Sequence, residues 1–165
     1  MRRCPPPLLP DEEEASNALL MPDLPALLRD PRVLWVEDVL RYADTDANGH
    51  INNSTFSVLC ESGRVHLFTR TLNPTVPPGV FFVIARLAID FRAELHYPGR
   101  VRTGTWVTRL GRSSLGLAQA IVADGRVAGE AEGVCVLMDG ETRRATPLPD
   151  ATRDAAERLL LAPPA

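Results

Sequence analysis

Apolar positions along this chain recur with two different periods. From residue 33 to residue 40 apolar and β-branched side chains predominate, which predicts a strand. A polar, glycine-containing turn follows at 44–52. Phe56, Leu59, Cys60, Gly63 and Leu67 then share one face of a helix of about five turns. Asn52, Asn53 and Ser54 are all residue types that cap a helix start. Gly63 on the buried stripe allows close approach to a sheet. Val58, Val65 and Phe68, beside Glu61, form a second, weaker apolar face, so this helix is expected to be covered on two sides.

Beyond residue 80 the period shortens to two. Val83, Ala85, Leu87, Ile89 and Phe91 alternate with Ile84, Arg86, Ala88, Asp90 and Arg92, as in a half-buried strand. Tyr97-Pro98-Gly99 marks a turn. Residues 101–110 and 115–123 are the next strands, and Asp124-Gly125 joins the latter to a strand over 127–138 as a hairpin. Asp139-Gly140 ends that strand, and Pro147 and Pro149 introduce a short tail helix near 151–161. A strand, a long helix and four antiparallel strands make an α+β domain, a sheet wrapped round one helix.

Residues 1–30 differ. Pro5, Pro6, Pro7, Pro10, Pro22 and Pro25 prevent a long helix, and Asp11 to Glu14 form an acidic block. This predicts a disordered lead-in with one docking turn at Leu24 to Leu28, and the domain proper over 31–165. Met21 is an alternative start.

Composition narrows the function. The 165 residues suit one domain, 45% of them apolar and 24% charged. A net charge of −3 argues against non-specific nucleic-acid binding. Cys4, Cys60 and Cys135 lack metal-ligand spacing, so reduced thiols in the cytoplasm are expected, and Cys60 and Cys135 read as core residues. The N-terminal charges precede no apolar export segment, and no apolar run is long enough to cross a bilayer.

Candidate chemistry concentrates between Arg41 and Asn53: two carboxylates, a His, three Asn and a Gly, just before a helix start. Unpaired N–H groups there can stabilise negative charge developing on a carbonyl oxygen. A neighbouring carboxylate can activate water or attack directly. A calcium loop is the rival reading. Asp44, Asp46, Asn48, Gly49 and Ile51 fit its spacing, but its final bidentate Glu is Thr55 and no second copy follows.

The run Asp44-Thr45-Asp46-Ala47-Asn48-Gly49-His50-Ile51-Asn52-Asn53 resembles the signature of hotdog-fold acyl thioesterases of the 4-hydroxybenzoyl-CoA thioesterase type, often written Asp-Thr-Asp-x-x-Gly-His-Val-Asn-Asn. Glu61-Ser62-Gly63-Arg64 resembles that family's acidic-small-x-Arg segment in the central helix. The resemblance covers residue 33 to about residue 149. It implies a hotdog fold and hydrolysis of an acyl thioester, with Asp46 as general base or nucleophile. Asn53 is implied as the residue whose N–H polarises the carbonyl, although some members carry Tyr or His there. Gly49 is implied in the approach turn.

The Asp46-x-Asn48-x-His50 spacing also resembles plant acyl-ACP thioesterases, in which Asn and His position the thioester. The expected partners are therefore acyl-CoA or acyl-ACP, and further copies of the chain in a homodimer or tetramer. No metal or redox cofactor is implied.

Each residue has a plainer role beside this one. Asp46 and Asp44 can cap a turn, His50 can brace the loop, and Asn52 can cap the helix. Glu61 can be a solvated helix residue, although one branch of these enzymes uses a helix carboxylate. Arg109, Arg112, Ser113 and Ser114 can hold CoA phosphates or form an ordinary polar turn. A non-catalytic acyl-CoA-binding module is the leading alternative function, and a hydratase on the same fold is a third.

Overall fold

A computed structural model describes residues 22–161. The expectations for residues 1–21, including the start at Met21 and the fate of Cys4, lie outside the described residues. The elements in order are α1 (Leu24–Leu27), β1 (Leu34–Leu40), α2 (Asn53–Leu67), β2 (Val80–Phe91), β3 (Gly99–Leu110), β4 (Ser114–Ala123), β5 (Arg126–Asp139) and α3 (Asp150–Glu157). The five strands form one antiparallel sheet in the order β1-β3-β4-β5-β2. This is the hotdog architecture, with α2 as the long helix against the sheet.

Alternation along the central strands divides the packing. The odd residues Leu115, Leu117, Ile121 and Ala123 of β4 are buried toward α2, and the even residues Ala118, Ala120 and Val122 are buried on the opposite face. That opposite face is covered by the first and last described segments. Leu24, Leu27 and Val33 pack there on Trp106, joined by Leu161. The single docking turn is thus present, and the last part of the expected lead-in is folded against the sheet.

At Gly63 α2 comes close against the sheet. A Cβ on Gly63 would lie 2.5 Å from Thr105 Oγ1 and 2.8 Å from Gln119 Nε2. Around it runs a polar band. Arg64 Nη1 donates to Gln119 Oε1 (3.1 Å), and Gln119 Nε2 donates to the Cys60 carbonyl (2.8 Å) and to Thr105 Oγ1 (2.9 Å). One apolar cluster lies on each side of the band, Phe56 and Leu59 with Ile121 on one, and Leu67 with Leu117 and Leu137 on the other.

Two expectations need correction. The strict alternation of β2 fails, because its pairing with β5 shifts between Ile84 and Arg86. Phe82 packs inward before this bulge and Leu87 and Ile89 after it, while Ile84 and Phe91 are exposed. An edge strand accommodates such a bulge because only one neighbour constrains it. The tail helix also stops early, at Glu157. The chain then runs beside β3 where β1 has ended: Val107 N–H donates to the Leu159 carbonyl (3.1 Å), and Leu161 N–H donates to the Val107 carbonyl (2.8 Å).

Candidate active site

The loop from Arg41 to Asn52 is built on backbone hydrogen bonds. Arg41 and Asp44 close a short 3-10 turn: Asp44 Oδ2 accepts the Arg41 N–H (2.8 Å), and Asp44 Oδ1 accepts from Arg41 Nη2 (2.9 Å). That guanidinium, together with the N–H, holds the Asp44 carboxyl below the ordinary carboxylate value. Thr45 then bridges antiparallel to Ile51, and between them Asp46 to Gly49 make a reverse turn. Gly49 N–H donates to the Asp46 carbonyl (3.1 Å), and Asp46 N–H to the His50 carbonyl (2.8 Å). Gly49 has φ +82°, while the space where its Cβ would stand is open. Backbone conformation, not crowding, selects glycine here.

Within this turn Asp46 Oδ1 accepts the N–H groups of Asn48 (2.8 Å) and His50 (3.2 Å). Oδ2 receives neither bond. Burial pushes the Asp46 carboxyl up, but the two N–H groups and the neighbouring His50 outweigh it and leave the carboxyl below its ordinary value. Asp46 is therefore ionised across the neutral range. The Asn52 N–H donates to the Asp44 carbonyl (2.8 Å), which draws the helix start back against the turn. Asn52 is the cap, its Oδ1 accepting from Ser54 N (2.9 Å). Asn53 is the first residue of α2, where helix geometry supplies no intrahelical acceptor for the N–H.

The loop thus brings together Asp46, Asn48, Gly49, His50 and Asn53. Asn48 is exposed at the turn and orients Asp46 through its N–H. His50 does so through its backbone as well, while its ring points to Glu94 (Nε2 to Oε2 3.5 Å) and meets the His96 ring edge to face. Glu61 is exposed on α2, eight residues or about 12 Å along the helix from Asn53. Arg109, Arg112, Ser113 and Ser114 are not brought to the loop within one chain. Leu40 pairs with Gly99 at the start of β3, and the turn after Leu110 lies at the strand's far end, about 35 Å away. That turn packs instead on the C-terminal segment, where the Leu148 N–H donates to the Arg112 carbonyl (2.9 Å).

The calcium reading loses its ligands, since the Asp44 and Asp46 carboxylates face an arginine and backbone N–H groups. Cys60 and Cys135 are buried, and burial pushes both thiols up to about 11, so neither forms a thiolate readily.

Sequence reasoning missed Asp38. It lines a cleft of about 380 Å³ between the end of β1 and the first turns of α2, with Leu40, Arg41, Thr55 and Val58. Its Oδ2 is buried without a hydrogen-bond partner among the described residues. Asp46 does not line this cleft; Asp44 does. Glu94 and His96 were also missed, and the alternation Glu94-Leu95-His96 was the available signal.

A family model described as the thioesterase-like superfamily matches residues 40–156. The chain belongs to this superfamily. A comparison with curated proteins finds no match. Among solved structures, a predicted thioesterase from Bacillus stearothermophilus superposes with TM-score 0.74 at 28% identity, over 80% of this chain and 99% of that one. A thioesterase from Thermus thermophilus, solved in complex with coenzyme A and Zn, has TM-score 0.66 and 32% identity, over 75% of this chain and 96% of that one. The DHNA-CoA thioesterase of Staphylococcus aureus shares the fold at 20% identity with TM-score 0.67, over 76% of this chain and 87% of that one. Among the described residues no helix of this superfamily member is long and apolar enough to cross a membrane.

Proposed function

We propose that the protein hydrolyses the thioester of an acyl-CoA, releasing the carboxylic acid and the free thiol. The observation that carries this reading is the Asp46 carboxylate, ionised and fixed by two N–H groups on Oδ1, in a turn folded back against the start of α2. Its second oxygen, Oδ2, accepts a proton from attacking water or itself attacks the acyl carbon. The Asn53 N–H polarises the carbonyl as it becomes an oxyanion. The carbon–sulfur bond then breaks and the thiolate leaves, protonated by Asp46 where Asp46 has activated water; where Asp46 itself attacks, a water then hydrolyses the resulting Asp46 acyl anhydride, releasing the acid and restoring the carboxylate. The CoA complex of the Thermus relative supports CoA as the carrier.

The active form is a homodimer. β2 is an edge strand exposing Phe81, Ile84 and Phe91, and α2 leaves Val58 and Val65 exposed. A second chain would also offer a route by which Arg112, Ser113 and Ser114 reach a substrate bound at Asp46. Light scattering should therefore give at least twice the 18.0 kDa chain mass.

The test is thiol release from a panel of acyl-CoA and acyl-ACP thioesters by the wild type and by Asp46→Asn. Asn keeps an Oδ1 acceptor for both backbone bonds, so the turn survives while the charge is lost. kcat should fall about 10²-fold or more with little change in KM. Undiminished turnover by Asp46→Asn together with a dead Glu61→Gln would move the catalytic carboxylate to α2. Tight binding with no wild-type turnover on any thioester would replace hydrolysis by an acyl-CoA-binding role.

A further inference from the structure

Two extended segments meet beside the Asp46 turn. The Ile51 N–H donates to the Leu95 carbonyl (2.8 Å), and both side chains are buried, Ile51 at 2% exposure and Leu95 at 4%. With Ile51 and Leu95 pointing inward, alternation turns His50 on one segment and Glu94 and His96 on the other outward together. One carboxylate oxygen, Glu94 Oε2, stands 3.5 Å from His50 Nε2 and 3.7 Å from His96 Nε2. Ligand atoms from all three residues lie within 4.8 Å of one another.

These separations are too long for good hydrogen bonds, which close to about 2.7–3.2 Å. The two carboxylate–imidazole separations are close to the spacing of ligands around a shared ion. A tetrahedral zinc with bonds of about 2.0–2.2 Å sets its ligand atoms roughly 3.3–3.6 Å apart. Only the two rings need to swing closer, and side-chain exposures of 32% for His50 and 55% for His96 leave them room. The backbone that carries them is already fixed by the Ile51–Leu95 bond.

We infer that His50, Glu94 and His96 form a binding site for a divalent transition ion of the zinc class, with solvent completing its coordination. Two imidazoles and one carboxylate favour borderline ions such as zinc over magnesium or calcium, which prefer all-oxygen shells. Because His50 belongs to the loop that carries Asp46, the bound ion ties that loop to the segment between β2 and β3. The inference concerns binding and stands whether or not Asp46 acts in catalysis.

Calorimetric titration of the chelator-treated protein with Zn2+ should give one ion per chain at micromolar affinity or tighter, and no binding of Mg2+. Saturating Zn2+ should raise the melting temperature by about 5 °C or more. Glu94→Gln and His96→Ala should each weaken binding roughly tenfold or more. His66→Ala, which changes the remaining histidine, should leave it unaltered. Both ligand variants should melt like the wild type without metal, because Glu94 and His96 are exposed and form no core contact. Zinc binding of equal affinity in wild type, Glu94→Gln and His96→Ala, or none in the wild type at a hundred micromolar, would overturn the site.

Discussion

Two polar regions of this molecule are hydrogen-bonded with similar distances and do opposite work. One is the band of Arg64, Gln119, Thr105 and the Cys60 carbonyl, sealed between two apolar clusters. The other is the turn of Asp44 to Asn52, open to water and held mostly through its backbone. In the band the side chains are committed to one another, and removing one strands the rest in a dry interior. In the turn the carboxylate of Asp46 is held by one oxygen only, and main-chain bonds carry much of the loop's shape. Polar groups held in this second way are the ones free to react.

The largest effect that separates the regions is on turnover. Asp46→Asn should cost about 10²-fold or more in kcat while the melting temperature stays within about 2 °C of wild type. A large loss of stability in this variant would show that the turn depends on the charge, and the contrast with the band would weaken.

Gly63→Ala should do the reverse. Its new methyl meets Thr105 Oγ1 and Gln119 Nε2 inside van der Waals distance. Thermal denaturation should show a loss of about 2–3 kcal/mol, despite the better helix propensity of Ala. The molecules that remain folded should keep their turnover.

Gln119→Leu is the next smaller test. It removes the acceptor of Arg64 and the partner of Thr105 without adding bulk near Gly63, and should cost about 1–3 kcal/mol. A neutral result would mean that the band is less dry than its burial implies.

The smallest effect is on the turn's own stability. Asp44 and Asp46 both have carboxyls held below the ordinary value of 3.8. A carboxylate depressed in the folded state adds stability above its unfolded pKa, which is lost as pH falls through the folded one. The melting temperature should therefore be flat in these two groups between about pH 5 and 8 and should decline only below about pH 4. In Asp44→Asn part of that acid decline should vanish, with a change of only a couple of degrees at neutral pH, as befits an ion pair on the surface.

The same contrast explains what could be read from the sequence. The candidate turn is contiguous, so its carboxylates, glycine and helix cap stand side by side between Asp44 and Asn53, and its position before α2 follows directly. The stripe of Phe56, Leu59, Cys60, Gly63 and Leu67 marked the buried face of α2 because helical spacing is local. The polar band joins Arg64 to Gln119 across fifty-five residues, and no local pattern announces it. His50 and Glu94 are separated in the same way. The bulge after Ile84 was hidden for another reason: alternation marks a face only while the ladder stays in register. Arg112 to Ser114 share the polar character of a phosphate site but stand at the end of β3 far from the Asp46 turn of their own chain.

The way the first and last described segments meet has a consequence for how the gene could be rearranged. Leu24 and Leu161 share one cluster, and Arg32 Nη1 donates to the Leu160 carbonyl (3.1 Å). The described domain is thus nearly a closed ring, and a short linker from Leu161 back to Pro22 would complete it. New ends opened at the exposed Asp124-Gly125 turn would cut a tight β-hairpin and leave the Asp46 turn and both apolar clusters unbroken. Such a circular permutant would place a fused cargo at the hairpin connecting β4 to β5.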